Sequence, residues 1–294
     1  MVYTAPTKFK IKNTTNLMNL FFESGGLKVA ALHYEGREKC VVMAHGFGAV
    51  KESLIPYAER FSEDFGVLLF DYRFFGESEG WPRQLIDINT QLEDWRNAVE
   101  YAKYLGYEKI ALWGTSFSGG HVLTIASEVD VDAVVSQVPF VDGLAVARAA
   151  GVKNVLRLTF SGMVDKLLSF IGRVNYVPIF APEGGFAFMS SREAEKYRYI
   201  IPEGVEWFNA VPARIALSIV RYRPVERVER IRCPVLYVVA ERDGITPAEA
   251  ALKAAEMTKN SEVLRVNGDH FDVYLSLFEF CVEREREFLL RSLD

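Results

Sequence analysis

The chain has 294 residues, enough to bury one large core or a core with an inserted subdomain. Half of its residues are hydrophobic and a quarter are charged, which is typical of a globular protein rather than a disordered or membrane-embedded one. The net charge of −5 argues against nucleic acid as a partner, because there is no basic excess to neutralise phosphates.

No targeting segment, membrane span or cysteine framework is evident. The start, MVYTAPTKFKIKN, lacks the apolar run of a signal peptide, and no stretch reaches the roughly 18 apolar residues that span a bilayer. Cys40, Cys233 and Cys281 are widely spaced and predict neither disulfides nor a zinc site, which fits a reducing cytoplasm. The 27 glutamates against three glutamines are a bias found in heat-adapted proteins.

Short apolar runs alternate with longer amphipathic stretches, which predicts an α/β fold with a mostly parallel central sheet and helices on both faces. The first element is a predicted hairpin over 17–34 that turns at Ser24-Gly25-Gly26. Strands are then predicted at 40–44, 67–71, 110–113, 131–136, 235–240 and 263–266. Helices are predicted between and after them at 51–64, 88–105, 117–128, 248–257 and 273–290.

The alternation stops between residues 143 and 223, where no clear strand is found. Helical patterns at 155–171, 192–200 and 212–220 are joined by loops that contain proline and glycine. About 80 residues are too many for a simple connection, so we expect a core over 1–142 and 224–294 and an inserted helical lid subdomain over 143–223. Its large apolar side chains can form a small core of their own or line a substrate cleft: Phe160, Met163, Phe170, Phe180, Phe186, Phe188, Met189, Trp207 and Phe208.

A serine lies at the apex of a predicted strand–turn–helix, in the sequence GTSFSGG at 114–120. A nucleophilic serine in such a turn needs small neighbours two positions away, because its backbone adopts an uncommon conformation. Gly114 meets this need, and Ser118 replaces the usual second glycine. Ser116 is therefore the predicted nucleophile; a helix cap or a phosphate-binding loop is the simpler alternative.

A serine hydroxyl needs a base, which is usually histidine. The chain has four histidines, and His270 follows the last predicted strand, where a loop can bring it over Ser116. His33 lies in the hairpin, and His121 is carried away from the apex by its helix. We expect His45 to shape the loop after the first parallel strand. The predicted base is His270.

The base needs a carboxylate that fixes its tautomer. Asp243 follows the strand at 235–240, and the order Ser116, Asp243, His270 is the one expected for this arrangement. Asp142, after an earlier strand, and Asp269, next to the base, are the two rivals.

The oxyanion of the tetrahedral intermediate needs N–H donors. We expect these donors to be the backbone N–H groups of Phe117, directly after the nucleophile, and Phe47, in the glycine-containing loop that follows the strand at 40–44.

Together these segments resemble the α/β-hydrolase family, most of all its carboxylesterase and dienelactone-hydrolase-like branch, with some likeness to Xaa-Pro-dipeptidyl-peptidase-like members. The matching segments are HGFG at 45–48, DYRFFGES at 71–78, GTSFSGG at 114–120, AERDGITP at 240–247 and GDHFD at 268–272. Phe74 departs from the glycine that the family usually has. The resemblance implies ester hydrolysis through an acyl-enzyme, without cofactor or metal.

The predicted function is a serine carboxylesterase that acts on a neutral short- to medium-chain ester. Thioesterase, peptidase and acyltransferase activities would use the same three side chains. A catalytically inactive binding protein is an alternative of another class. A second alternative of another class is a dinucleotide-binding protein, with the binding turn at Gly46-Phe47-Gly48 and Asp71 on the next strand. In this alternative, however, Lys51 occupies the position where the motif has its third glycine.

Overall fold

The structure is a computed structural model that describes residues 17–294. The first 16 residues, where the sequence showed no signal peptide and where the expected core begins, lie outside the described residues. Within 17–294, no helix has both the length and the apolar character needed to cross a membrane.

An eight-stranded sheet forms the centre of the molecule. Its strands are β1 (Leu17–Ser24), β2 (Leu27–Tyr34), β3 (Lys39–Ala44), β4 (Gly66–Phe70), β5 (Lys109–Thr115), β6 (Ala133–Gln137), β11 (Val235–Ala240) and β12 (Ser261–Val266), numbered in chain order with four short strands described below. They lie in the order β1-β2-β4-β3-β5-β6-β11-β12. The first two strands run antiparallel as a hairpin, β2 pairs antiparallel with β4, and the remaining pairs are parallel. Parallel strands end at one edge of the sheet, so residues that follow them meet there.

Helices cover both faces of this sheet, and the alternation of side chains along each strand divides the core into two layers. On β3, for example, Val42 packs in the layer of Trp95 and Val122, whereas its neighbour Val41 packs in the layer of Phe61. The helices of the core are α1 (Ile55–Phe61), α2 (Ile88–Tyr104), α3 (Phe117–Ala126), α6 (Ala248–Met257) and α7 (Phe278–Ser292). The predicted fold class, a mostly parallel sheet with helices on both faces, is confirmed.

The predicted core elements agree with the observed ones to within a few residues. The predicted helix over 51–64 begins with a 3₁₀ turn at Lys51–Leu54 before α1 starts. The predicted helix over 273–290 is a 3₁₀ turn, Asp272–Tyr274, followed by α7. Both breaks lie at helix starts, which periodicity locates poorly.

The 143–223 segment departs further from prediction. It starts with two helices, α4 (Gly143–Ala150) and α5 (Val152–Ser169), where one helix over 155–171 was predicted. Gly151 separates them with a φ of 79°, a left-handed conformation that suits glycine. The predicted helices at 192–200 and 212–220 are 3₁₀ turns instead, at Ala194–Tyr199, Ala213–Leu217 and Ile219–Arg221.

Four two-residue strands also occur in this segment, where the sequence showed none. They are β7 (Tyr176–Val177), β8 (Phe180–Ala181), β9 (Met189–Ser190) and β10 (Val211–Pro212), and they pair as β10 with β7 and β8 with β9. Two residues are too few to show an alternating pattern, so no sequence period could have found them.

Polar side chains hold the 143–223 segment together. The buried carboxylate of Asp165 on α5 accepts hydrogen bonds from the backbone N–H of Asn175 at 2.7 Å and from Arg214 Nε at 2.6 Å. At the ends of the segment, Arg223 forms an ion pair with Asp142 at 3.0 Å. That pair holds the two ends of the segment together.

Candidate active site

Ser116 occupies the tight turn between β5 and α3. Its backbone has φ 55° and ψ −119°, a strained conformation for a residue with a side chain. Its N–H donates to the carbonyl of Gln137 at 2.8 Å, and its carbonyl accepts from the N–H of Phe140 at 2.8 Å. A Cβ at Gly114 would lie only 2.4 Å from the carbonyl oxygen of Ser118, so the turn requires glycine at that position.

Ser118, at the position where the motif usually has glycine, is accommodated by a polar contact. The side chain is fully buried, and its Oγ is hydrogen-bonded to the hydroxyl of Tyr72 at 2.9 Å. Trp95 Nε1 donates to the same hydroxyl at 2.8 Å. The extra hydroxyl therefore has a partner inside the core, which offsets the cost of burying it.

His270 follows β12 and lies over Ser116. Its Nε2 is 3.0 Å from Ser116 Oγ, and its Nδ1 is 2.7 Å from Asp243 Oδ2. Because a carboxylate only accepts hydrogen bonds, Nδ1 carries the proton and Nε2 is left to accept one from the serine. The side chains expected as nucleophile, base and acid thus form one continuous hydrogen-bonded chain.

Asp243 is held in place by the loop after β11. Its Oδ1 accepts hydrogen bonds from the N–H groups of Ile245 at 2.8 Å and Thr246 at 2.7 Å, and the Thr246 hydroxyl lies 2.8 Å from Oδ2. These contacts fix the direction of the carboxylate that orients His270.

The charge environment of His270 favours the imidazolium. Burial by itself lowers the pKa of His270, but the adjacent Asp243 carboxylate outweighs burial and, with Glu193 and Asp269, holds the pKa above the ordinary value of 6.5. An imidazolium that forms when the serine loses its proton is therefore stabilised where it forms.

The loop after β3 comes close to the nucleophile. A Cβ at Gly46 would lie 3.0 Å from Ser116 Cβ, so the absence of a side chain allows this approach. Phe47 follows directly, and its N–H has no backbone acceptor among residues 17–294. As the first residue of α3, Phe117 also has an N–H without a helical partner.

The other histidines are bound into the core. Burial lowers the pKa of His45 to about 4, and its Nδ1 lies 3.0 Å from the Gly46 carbonyl, so it is a neutral residue that shapes the loop. Burial lowers the pKa of His121 to about 3, and its ring nitrogens contact Tyr222 and Gln91. Neither is bonded to Ser116.

The two rival carboxylates have other partners. Asp142 accepts from the N–H of Leu144 at the start of α4 and pairs with Arg223. Asp269 forms an ion pair with Lys196 at 2.6 Å. Neither contacts His270 through its side chain as Asp243 does.

The geometry of Asp71 does not fit a dinucleotide site. Asp71 is fully buried and forms an ion pair at 2.9 Å with Lys51, which is buried too, so its carboxylate cannot bind a ribose. In the same loop Phe74 has a φ of 77°, the left-handed conformation that the usual glycine would adopt freely.

Within residues 17–294, no group of three or more His, Cys, Asp or Glu side chains has a geometry that could hold a metal ion.

Four residues of the 143–223 segment contact the loops of this site, and of these only Trp207 was among the residues singled out in the sequence. Glu193 Oε2 accepts from the backbone N–H of His270 at 3.3 Å, and Lys196 pairs with Asp269. On the other side, the Tyr197 hydroxyl donates to the Phe47 carbonyl at 2.8 Å, and Trp207 Nε1 donates to the Gly48 carbonyl at 2.7 Å. No local motif marks these residues, because each acts on a loop far away in sequence.

A cleft with an accessible volume of about 80 Å³ lies over Ser116. Twelve of its 18 lining residues come from the 143–223 segment, among them Leu158, Phe188 and Met189, and none of the 18 is charged. Not all the large apolar residues of the segment face it, however. Phe160 and Phe170 are exposed to solvent instead.

Comparisons with known proteins agree with this geometry. Residues 39–276 match the model of a family described as the alpha/beta hydrolase fold. The crystal structure of the alpha/beta hydrolase GrgF from Penicillium sp. sh18 superposes with a TM-score of 0.81 at 25% identity, covering 94% of this chain and 99% of that one.

Curated relatives extend the likeness over nearly the whole chain. The quorum-quenching protein AidA of Acinetobacter baumannii (strain MDR-ZJ06) is 39% identical over 287 residues, 93% of this chain and 94% of AidA. The thiohydrolase aneE of Aspergillus aculeatus is 40% identical over a shorter stretch of 130 residues, 42% of this chain and 41% of aneE.

Proposed function

The chain belongs to the alpha/beta hydrolase family, and on that premise we propose that it is a serine carboxylesterase that cleaves neutral short- to medium-chain esters through an acyl-enzyme. The observation that carries the proposal is the hydrogen-bonded chain from Ser116 Oγ through His270 to Asp243 at the floor of an apolar cleft. A nucleophile, a base and an orienting carboxylate in this geometry are the requirements of acyl transfer.

In the proposed reaction, Ser116 Oγ attacks the ester carbonyl while His270 Nε2 takes the hydroxyl proton. Asp243 stabilises the imidazolium, and the N–H groups of Phe47 and Phe117 donate to the oxyanion. When the tetrahedral intermediate collapses, the C–O bond to the alcohol breaks and His270 returns the proton to the leaving oxygen. Water, deprotonated by His270, then attacks the acyl-serine and releases the acid.

We further propose that the 143–223 segment is a lid subdomain inserted in a core made of 1–142 and 224–294. Most of the cleft lining belongs to it, and its ends are joined by the ion pair of Asp142 with Arg223. Because the cleft has no charged lining residue, it favours a neutral acyl group and disfavours a carboxylate. The predicted preference for neutral esters follows from this lining.

Transfer or hydrolysis of acyl thioesters is a second candidate, favoured by the names of two relatives. Besides the thiohydrolase aneE, a curated polyketide transferase, grgF of Penicillium sp., is 25% identical over 268 residues. Ser116 and His270 would keep their roles as nucleophile and base. The C–S bond would break instead of the C–O bond, so a thiol would leave, and in acyl transfer an alcohol would replace water as the acceptor.

Covalent labelling tests the nucleophile. An organophosphonate should label the protein with one adduct per chain, on Ser116, as located by mass spectrometry of the digested protein. Ser116→Ala should remain unlabelled and lose turnover by several orders of magnitude. An adduct on another residue would refute the assignment of Ser116.

A substrate panel tests the acyl class. Nitrophenyl esters of increasing chain length should be measured beside acyl thioesters and a prolyl peptide substrate. A buried methylene is worth about 0.8 kcal/mol, so kcat/KM should rise several-fold with each added methylene and peak at roughly four to eight carbons, where the cleft is filled. Thioesters turned over faster than matched esters would favour the second candidate, and a profile still rising at about sixteen carbons would contradict the acyl pocket proposed here.

A further inference from the structure

Helix α5 leaves one of its faces uncovered. Seven of the 17 exposed large apolar side chains within 17–294 lie between residues 152 and 171, and each of the seven is 48% to 78% exposed. We call these seven side chains the α5 stripe: Val152, Leu156, Phe160, Met163, Leu167, Phe170 and Ile171. Such a concentration is unusual for a surface with no partner.

The α5 stripe forms a single continuous band. Its first six members follow one another at intervals of four, four, three, four and three residues. At about 100° per residue, the five members on α5 fall within an arc of about 80°, and Phe170 and Ile171 follow directly after the end of the helix. The band runs the length of an 18-residue helix, about 27 Å.

Basic residues border the α5 stripe. Between residues 143 and 173 the chain has five basic residues and one acidic residue, in a protein whose net charge is −5. The acidic one, Asp165, is buried and paired with Arg214. No carboxylate among residues 17–294 pairs with the basic ones: Arg148, Lys153, Arg157, Lys166 and Arg173.

These charges distinguish between possible occupants of the face. A second copy of residues 143–173 would bring five more unpaired cations beside the first five, with no exposed acidic residue in either copy of this stretch to compensate them. An apolar band with basic residues along its borders is instead complementary to the anionic surface of a lipid bilayer, where the apolar side chains enter the acyl boundary and the cations contact the headgroups.

We propose that the α5 stripe docks the protein on an anionic lipid surface, without spanning it. Outside the stripe, the same helix supplies Val155, Leu158 and Thr159 to the cleft. One helix thus separates the lipid surface from the cleft over Ser116. The proposal does not depend on the esterase activity, because the docking face has no residue in common with the catalytic chain.

Vesicle flotation tests the proposal directly. The purified protein is mixed with vesicles of phosphatidylcholine alone or of equal parts phosphatidylcholine and phosphatidylglycerol, at low and at high salt. We expect flotation with the mixed vesicles at low salt, and its loss at high salt because the headgroup attraction is screened. Ser116→Ala should float like the wild type, so the outcome is separate from that of the hydrolase proposal.

Three variants separate the apolar from the charged contributions to vesicle binding. Replacing Leu156, Phe160 and Leu167 together by serine should abolish flotation. Lys153→Glu with Lys166→Glu should weaken partitioning at least about twentyfold, since each basic residue near an anionic surface contributes about fivefold. Lys253→Glu with Lys259→Glu is the matched control. Both lysines are exposed and lie outside the 143–223 segment, and the change in net charge is identical. Flotation of this variant should persist.

Three results would overturn the proposal. One is no flotation with mixed vesicles. Another is equal flotation with phosphatidylcholine alone. The third is a dimer in sedimentation velocity that the triple serine variant converts to monomer, because the α5 stripe would then be covered by a second copy.

Discussion

The sheet core and the 143–223 segment are held together by different interactions. In the core, backbone ladders and two apolar layers position every strand, and the strands between β2 and β12 are buried almost throughout. The segment has two helices, then 3₁₀ turns and two-residue strands. It is held by side chains that bond to backbone, such as Asp165 to the N–H of Asn175 and Asn209 to the carbonyl of Phe180.

This difference divides the site. Ser116, Asp243 and His270 follow β5, β11 and β12, so their relative positions are set by the sheet. Most of the cleft wall belongs to the segment, whose irregular backbone can vary without disturbing the strand ends. The contacts of Glu193, Lys196, Tyr197 and Trp207 link the two regions. Chemistry should therefore respond to changes in the core, and selectivity and pH profile to changes in the segment.

The largest expected effect tests which carboxylate orients His270. Asp243→Asn should lower kcat roughly 10⁴-fold while leaving the fold intact, because the amide favours the wrong tautomer of His270. Asp142→Asn, at the residue directly before the segment, should change kcat only a few-fold. Steady-state kinetics with circular dichroism on both variants measure this, and the reverse ranking would move the acid to Asp142.

The second prediction concerns the stability of the core alone. Burial raises the pKa of Glu285 on α7 from 4.5 to about 8, and its Oε2 accepts from Trp113 Nε1 on β5. The folded state therefore retains a proton that the unfolded chain releases. This stabilisation is complete below pH 4.5 and is lost at about 1.4 kcal/mol per pH unit as the pH rises toward 8.

Glu285→Gln should remove this pH dependence, so the variant should lose less stability than the wild type between those pH values. Denaturant unfolding measures the global free energy, and hydrogen exchange resolves the two regions. Core amides should follow the change in global stability, whereas amides of the 143–223 segment, which we expect to exchange through local opening, should not. Glu287→Gln, on the exposed side of α7, is the control. Parallel curves for Glu285→Gln and the wild type would show that Glu285 is ionised in the fold.

A third change tests the segment as the determinant of chain length. Phe188 lines the cleft and its ring lies 5.0 Å from that of Phe47. Phe188→Ala should lower kcat/KM for the best ester about tenfold and move the optimum to longer acyl chains, because space is opened at the wall. Phe186→Ala, whose ring lies under Arg157 outside the cleft, should leave the profile unchanged. An identical optimum in both variants would remove Phe188 from the acyl pocket.

The smallest effect tests the link between the regions. Glu193 is one of the charges that raise the pKa of His270. Since the reaction needs neutral His270, Glu193→Gln should lower that pKa and move the acidic limb of the kcat/KM profile to lower pH, with only a few-fold change at the plateau. Glu195→Gln, beside it in the same turn, is the control. An acidic limb that stays in place or moves to higher pH would contradict the electrostatic link.

Much of the core was predictable because buried strands and helices have recognisable apolar patterns in the sequence. Strands such as β11 are continuous apolar runs, and the helices between them repeat at helical spacing. The catalytic candidates were predictable for a related reason. Ser116, Asp243 and His270 each directly follow a predicted strand, and the carboxyl ends of parallel strands converge.

The 143–223 segment was not predictable in the same way. Its 3₁₀ turns and short strands are too brief to show a period, and α4 has only one buried residue, Gly143. The pattern of apolar side chains on α5 is equally compatible with core residues and with cleft residues, because periodicity identifies one face of a helix but not what covers that face. Phe160 and Phe170 proved to be exposed.

By itself, the sequence determined which segments form the strands and helices and which candidate residues follow the strands, because hydrophobic periodicity is a local property. Only the tertiary structure decided that Glu193 contacts the backbone of His270 and that Tyr197 contacts that of Phe47. Those contacts join residues 77 and 150 positions apart. They depend on how an irregular segment folds over the sheet, and no short stretch of sequence encodes that packing.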